Sequence, residues 1–186
     1  MKDRIKNVFL EMLETTPIEK IKVKDIAQTC NISRQTFYYY YYDVFSILKY
    51  IFEQQTQYAL EDVSFMEDLE VSYLRIMKWF KKNERLVTIT YNFDNGKLLK
   101  NCLGKIFIPV INKLVEKNSY GYTVTRCQLD FIANFYFITL IGFLFDWIEK
   151  GMTTDPNVLM ENVKLIIESN FENTLRNFEK YNDNNS

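Results

Sequence analysis

The sequence of 186 residues contains no histidine, and it has only three cysteines, five glycines and three prolines. Without histidine, the chain cannot form a Ser-His-Asp triad, a Cys-His pair or a histidine-ligated metal site. The cysteines at positions 30, 102 and 127 include no Cys-x-x-Cys pair, which predicts buried thiols in a reducing cytosol, with a redox-sensing Cys127 as the alternative. These absences exclude most hydrolases, and we expect no catalytic residue, no metal and no cofactor.

Positive and negative charges are nearly balanced. The chain has 23 Lys and Arg residues and 24 Asp and Glu residues, which gives a net charge of −1. A nucleic-acid site must therefore be local. Residues 1–50 hold 8 basic and 6 acidic side chains, a net charge of +2 that leaves −3 for the remainder. This asymmetry indicates a slightly basic N-terminal part on a slightly acidic body.

Aromatic residues make up 16% of the chain, with 13 Tyr and 15 Phe. Many large apolar side chains and few helix breakers predict an all-α fold of about nine helices around an aromatic interior. Pro109 predicts a kink or a one-turn break in one of them. The apolar spacing places the later helices at about 43–62, 66–82, 84–92, 97–117, 124–150 and 156–178.

The segment from Phe131 to Ile148 approaches the hydropathy of a membrane span. It carries Asn134, Thr139 and Asp146 and is barely long enough to cross a bilayer, so a helix buried by its own protein is favoured. The charged N-terminus resembles a first helix and not a secretory signal. We expect a cytoplasmic protein without a membrane partner.

Two short helices joined by a tight turn are predicted near the N-terminus. Val23, Ile26 and Cys30 form a short apolar stripe that ends at Asn31, a residue that tolerates a left-handed backbone. Ser33 is then suited to cap a second short helix, with Phe37 pointing back into the core. This arrangement is a helix-turn-helix.

Residues 21–48 read IKVKDIAQTCNISRQTFYYYYYDVFSIL and resemble the DNA-binding head of the tetracycline-repressor (TetR/AcrR) family of bacterial transcription regulators. The Gln-Thr-Phe-Tyr sequence at positions 35–38 resembles the corresponding segment in the branch that includes regulators of dihydroxyacetone kinase operons. The chain departs from the family at Tyr40, where His is usual, and at Val44, where Lys is common. The resemblance implies a DNA-binding domain at 1–48, a connecting helix at about 43–62, a helical regulatory and dimerisation domain at 49–180 and a disordered tail at 181–186.

The N-terminal side chains of the second helix are the candidates for reading DNA bases. Ser33, Arg34 and Gln35 would face the base edges, where Arg34 can fork onto guanine and Gln35 can pair with adenine. We expect other polar side chains to position the head on the duplex. They are Thr36, Tyr38 and Tyr40 on phosphates, Tyr39 on a thymine methyl or sugar edge, and Lys22 and Lys24 beside the backbone.

Some of these residues have a purely structural interpretation as the alternative to DNA binding. The tyrosines from Tyr38 to Tyr42 could be a packed aromatic helix end, which is favoured for Tyr41 because it lies four residues after Phe37. The lysines at positions 20, 22 and 24 could be a solvated face.

The family resemblance also implies a body that dimerises through its last two helices and encloses a small-molecule pocket. We expect a homodimer on near-palindromic double-stranded DNA and a small apolar or aromatic effector. Core packing is the alternative for each pocket candidate. The pocket candidates are Tyr73, Met77, Phe80, Phe107 and Phe135, and the interface candidates are Phe143, Trp147, Val163, Ile167 and Phe171.

The sequence therefore predicts a dimeric repressor that a small molecule releases from its operator. The alternative is an effector-independent DNA-bound structural or protein-interaction factor on the same fold. An enzyme with an aromatic pocket is disfavoured because no nucleophile-base pair can be assembled without histidine.

Overall fold

The computed structural model describes residues 1–64 and 66–185, leaving aside the side chains of residues 66, 67 and 167–169. Within that part of the chain there is no strand, and the predicted all-α fold is confirmed. A 3₁₀ turn at Ile18–Lys20 follows the first helix. The helices are α1 (Lys2–Thr15), α2 (Val23–Thr29), α3 (Arg34–Tyr40), α4 (Val44–Ala59), α5 (Met66–Lys82), α6 (Glu84–Asp94), α7 (Lys97–Asn118), α8 (Arg126–Glu149) and α9 (Pro156–Asp183).

The first three helices form a small head around one apolar stripe. Ile5, Phe9 and Leu13 recur every four residues of α1 and are all buried, because that spacing keeps them on one face. Phe37 of α3 is fully buried in the same core, as the sequence predicts. α3 is thereby anchored by a single large side chain in its middle.

The turn between α2 and α3 has the predicted geometry. Asn31 is left-handed, with φ of 50°, and the N–H of Ile32 donates to the carbonyl of Ala27 at 2.9 Å. This pair of features is the Schellman ending of a helix. Ser33 then caps α3, since its Oγ accepts a hydrogen bond from the N–H of Thr36 at 3.0 Å.

Helix α4 connects the head to the body. Asp43 caps it, with Oδ1 accepting from the N–H of Ser46 at 2.7 Å, and the helix ends at Ala59, three residues before the predicted end. Its buried apolar residues belong to one hydrophobic cluster that is continuous from α1 to α9. The boundary predicted at 48/49 therefore lies within a helix whose core is shared by both parts.

Pro109 lies inside helix α7, where a kink or a one-turn break was predicted. The helix runs from Lys97 to Asn118 without the expected one-turn break. Pro109 is exposed, so the carbonyl of Lys105 that loses its helical partner lies on the solvent side, where water can satisfy it.

Helix α8 is apolar on nearly all sides and ends as predicted. Gly151 has φ of 71°, and the N–H of Met152 donates to the carbonyl of Trp147 at 2.8 Å. By length and composition α8 is able to cross a membrane, but half of its apolar window is buried within the protein, as in a core helix. The Tyr73 hydroxyl, buried on α5, donates to the carbonyl of Leu140 on α8 at 2.6 Å.

Helix α9 continues to Asp183, beyond the predicted end at 178 and into the tail that we expected to be disordered. Tertiary hydrogen bonds explain the extra length. The side chain of Asn182 donates to the carbonyl of Thr123 at 2.8 Å, and Glu179 accepts from the N–H of Thr123 at 2.9 Å. These bonds tie the last turns of α9 to the loop before α8.

Two of the three cysteines are buried, in line with the prediction, whereas Cys127 is exposed. Burial raises the pKa of the Cys102 thiol to about 11 and also raises the pKa of Cys30. Among the described residues, no group of three His, Cys, Asp or Glu side chains is placed to hold a metal ion.

Candidate nucleic-acid interface

The two side chains predicted to read bases lie on the solvent side of α3. Arg34 and Gln35 are exposed, and Arg34 has no ion pair within the described part of the chain. Their helix is fixed at three points, by the left-handed Asn31, by the Ser33 cap and by the buried Phe37. A guanidinium and an amide held on a rigid support suit hydrogen bonding to base edges.

The hydroxyl groups of Ser33 and Thr36 are partly used within the protein. Their oxygens lie 2.9 Å apart, in addition to the bond from the Thr36 N–H. Both side chains therefore hold the start of α3 in place, and each keeps part of its hydrogen-bonding capacity for another partner.

The tyrosines at the end of α3 separate into an exposed group and a buried member. Tyr38, Tyr39 and Tyr42 are exposed, Tyr39 at 81%, while Tyr40 is half-buried with its ring edge-on to Tyr39 at 5.0 Å. Tyr41 is buried, its ring 6.0 Å from that of Phe37 and its hydroxyl donating to the carbonyl of Lys2 at 3.4 Å.

Burial raises the pKa of Tyr41 well above its usual value, so the packing interpretation of this residue is confirmed. Sequence reasoning did not single out Tyr42 as a DNA-binding residue. Its exposure next to a buried neighbour is a structural signal that helical spacing alone does not supply.

Lys22 and Lys24 are exposed at the start of α2, as predicted, and both contact the acidic residue Asp25. The Lys22 N–H donates to Asp25 Oδ2 at 3.3 Å, and Lys24 Nζ is 4.0 Å from Asp25 Oδ1. The Asp25 carboxylate therefore occupies the positive end of α2 and offsets part of the lysine charge.

The structure places the predicted pocket residues in two different environments. Tyr73, Met77, Phe80 and Phe107 are buried in the core, where the rings of Tyr73 and Phe107 lie 6.4 Å apart. Phe135 is 57% exposed on α8, so its assignment to an enclosed pocket is wrong. Helix α8 is apolar on several faces, and its composition does not indicate which one turns inward.

A groove of about 430 Å³ lies instead between α4 and α5. Its lining includes the buried residues Thr56, Ala59 and Ile76, the aromatic residues Tyr58 and Trp79, and the charged residues Glu61, Asp62 and Arg75. The ring of Trp79 lies edge-on to that of Phe52 at 5.7 Å, which holds the indole in place. Of the predicted pocket residues, Phe80 contributes to this groove.

Three of the five predicted interface residues also need correction. Trp147, Val163 and Phe171 are buried within the chain, and the indole of Trp147 donates to the carbonyl of Thr154 at 2.8 Å. Phe143 is 37% exposed, and the side chain of Ile167 lies outside the described residues. Trp147, Val163 and Phe171 therefore stabilise the protomer.

Other apolar side chains of the last two helices are exposed. On α8 they recur at intervals of four and three residues, which places them on one face. They are Phe131, Phe135 and Ile138 on α8, and Val158, Leu165 and Ile166 on α9.

Comparison with known proteins identifies the family from the body alone. Residues 67–169, more than half of the chain, match the model of the TetR_C_8 family, described as the C-terminal region of transcriptional regulators. The protein belongs to the TetR family of transcriptional regulators. This match lies outside residues 21–48, so the head and the body point to the TetR family independently.

A curated relative supports the branch suggested by the head. The chain is 28% identical over 173 residues to the HTH-type dhaKLM operon transcriptional activator DhaS of Lactococcus lactis, covering 87% of this chain and 89% of the relative. The predicted resemblance to regulators of dihydroxyacetone kinase operons is thereby confirmed.

Solved structures of TetR-like regulators share the fold. The structure of a dihydroxyacetone kinase operon activator, DhaS, matches with a TM-score of 0.67 at 19% identity over 96% of this chain and 97% of that one. The fatty acid degradation regulator FadR from Bacillus halodurans matches with a TM-score of 0.62 at 15% identity, over 89% and 93% of the two chains. The TetR family repressor AlkX from Dietzia sp. matches with a TM-score of 0.53 at 12% identity, over 94% of this chain and 98% of that one.

Proposed function

We propose that this TetR-family regulator acts as a homodimer in which α3 of each protomer reads one half of a near-palindromic operator. The observation that carries the proposal is the exposure of Arg34 and Gln35 on a helix whose pose is fixed by the Ser33 cap and the buried Phe37. Arg34 would pair with guanine and Gln35 with adenine in the major groove.

Residues around this pair would position the head without specifying sequence. Tyr38, Tyr39 and Tyr40 present hydroxyls or ring edges, and Lys22 and Lys24 supply positive charge. Because Asp25 offsets part of that charge, the nonspecific component of binding should be weak.

The two lysines of α2 predict a change in salt dependence. Replacing Lys22 and Lys24 with glutamine should reduce the slope of log affinity against log salt concentration by about 0.9 for each phosphate that is no longer neutralised. Fluorescence anisotropy on one duplex over a range of salt concentrations measures this slope. The matched control is Lys100→Gln with Lys180→Gln in the body, which should leave the slope unchanged, and equal slopes for both double variants would contradict the lysine assignment.

The exposed apolar residues on α8 and α9 support dimerisation. Phe131, Phe135 and Ile138 lie on one face of α8, and burying such a face against its two-fold copy removes apolar area from water. Two heads held on one dimer would bind half-sites about one DNA turn or more apart.

The groove between α4 and α5 is our candidate for the effector site. Its volume of about 430 Å³ suits a small molecule, and Trp79 and Tyr58 offer aromatic surfaces to an apolar or aromatic ligand. α4 carries the head, so a ligand with different affinities for two tilts of α4 would change operator binding.

The effector proposal predicts a tryptophan signal. The chain has two tryptophans, of which Trp79 lines the groove and Trp147 is buried elsewhere. A ligand that raises the melting temperature in a metabolite panel should also change tryptophan fluorescence, and the change should disappear in Trp79→Phe. A fluorescence change that persists in Trp79→Phe would place the ligand outside this groove.

The second candidate function is an effector-independent DNA-bound factor. It is favoured by the dense packing of Tyr73, Met77, Phe80 and Phe107, which fill the interior where a pocket was expected. A protein of this kind would show no thermal shift with any small molecule of the panel.

The family resemblance of the sequence predicts a repressor, whereas the relative from Lactococcus lactis is named an activator. Our proposal is therefore operator binding under effector control, and a reporter gene placed behind the operator assigns the sign of regulation.

A further inference from the structure

Arg85, at the start of α6, makes a direct hydrogen-bonded link between the body and α1 of the head. Its Nη2 lies 2.7 Å from the carbonyl oxygen of Glu14 and 3.2 Å from that of Leu13. Both carbonyls belong to the last turn of α1, which contains no basic residue of its own. Arg85, which follows Glu14 by 71 residues, supplies the positive charge that this helix end lacks.

The chemistry of a helix end explains why this contact is favourable. The last four carbonyl groups of a helix have no partner within it, and they form the negative end of the helix dipole. A guanidinium is always charged and donates along several directions, so one Arg85 can satisfy two of these carbonyls. Hydrogen bonds with a charged donor are stronger than neutral ones.

The other polar and aromatic links from the head side to the body pass through α4. The rings of Phe45 and Phe93 stack at 4.2 Å, and Lys105 Nζ lies 3.1 Å from Glu53 Oε1. In the described part of the chain, Arg85 provides the side-chain hydrogen bonds that join the body to α1.

Apolar packing beside this link is incomplete. A cleft of about 380 Å³ lies between α1 and the start of α6, and its walls include Leu10, Leu13, Leu86 and Ile89. Arg85 lines this cleft, so its hydrogen bonds lie where the two helices do not close fully on each other.

We propose that Arg85 is a positioning residue that holds the head at a defined angle on the body. This inference rests on the proposed function of the protein as a dimeric operator-binding regulator. Through Arg85, α6 sets the separation of the two α3 helices in the dimer together with α4. The Arg85 contact and helix α4 together then determine which half-site spacing the protein accepts.

Selection from duplexes that carry two fixed half-sites at variable separation tests the proposal. Wild type should enrich one separation, whereas Arg85→Met should accept a wider range and bind the preferred duplex roughly tenfold more weakly. Arg85→Lys keeps the charge and should recover part of the spacing preference. The matched control is Lys100→Met, at an exposed basic residue on α7 outside the α4–α5 groove, which should leave the preference unchanged.

Three results would overturn the proposal or its basis, and they are distinguishable. If wild type enriches no duplex, the proposed function itself fails. If wild type enriches one separation and Arg85→Met enriches the same separation with equal affinity, Arg85 has no positioning role. If Arg85→Met loses nonspecific DNA binding as well, and its N-terminal amides exchange with solvent as in an unfolded head, Arg85 only maintains the fold.

Discussion

Replacing both Phe135 and Ile138 with glutamate is expected to convert the protein into a monomer with at least a hundredfold weaker operator binding. Both side chains are exposed on one face of α8. A two-fold interface on this face would bury four added carboxylates, and burying unpaired charges costs several kcal/mol each. Loss of the dimer also removes the effective concentration that lets a second head bind after the first.

Analytical ultracentrifugation of the double variant measures this effect directly. Wild type should sediment at twice the chain mass of 22.4 kDa, and the variant should sediment at that mass. Tyr120→Glu is the control, because Tyr120 is the most exposed large hydrophobic residue in the described chain but lies in the loop before α8. A double variant that remains dimeric would place the interface elsewhere.

Arg34→Ala is expected to remove base preference at one position of each half-site. A bidentate arginine–guanine contact contributes about 1–3 kcal/mol of discrimination, which is roughly 5- to 150-fold in relative affinity. Competition between the selected duplex and duplexes substituted at single positions measures this discrimination for wild type and variant.

Tyr40→Phe provides the matched comparison for Arg34→Ala. It removes one hydroxyl from a half-buried ring and leaves the packing against Tyr39 in place. If this hydroxyl contacts phosphate, the variant should bind all duplexes more weakly by the same factor and keep its base preference. An Arg34→Ala protein with unchanged base preference would show that another residue reads the operator.

The head was predictable because its structure depends on local signals. Asn31 marks a left-handed turn, Ser33 is a helix cap, and Phe37 lies at the position that returns to the core. Each of these preferences acts within a few residues, so sequence and structure agree there. The pose of α3 follows from the same residues.

The body was less predictable because tertiary packing decides its details. Trp147 and Phe135 are both large apolar residues of α8, yet the first is 2% exposed and the second 57%. A helix that is apolar on most sides has no period that separates its inward face from its outward face. The interface candidate Trp147 was misassigned for this reason, and the α9 candidates Val163 and Phe171 are buried in the protomer as well.

Long-range hydrogen bonds were also invisible in the sequence. The extension of α9 depends on bonds from Glu179 and Asn182 to Thr123, more than 50 residues away. The contact of Arg85 with Glu14 is of the same kind. Local propensity cannot report such partners, because they are brought together only when the helices pack.

Selection of bound sequences from random duplex DNA tests the central claim most directly. The purified wild-type protein should enrich a near-palindrome whose half-sites lie one DNA turn or more apart. Each half-site should contain a guanine at a position where Arg34→Ala loses its preference. A bound pool without a palindrome, or with no enrichment over the starting library, would contradict the account of this protein as a dimeric operator-binding regulator.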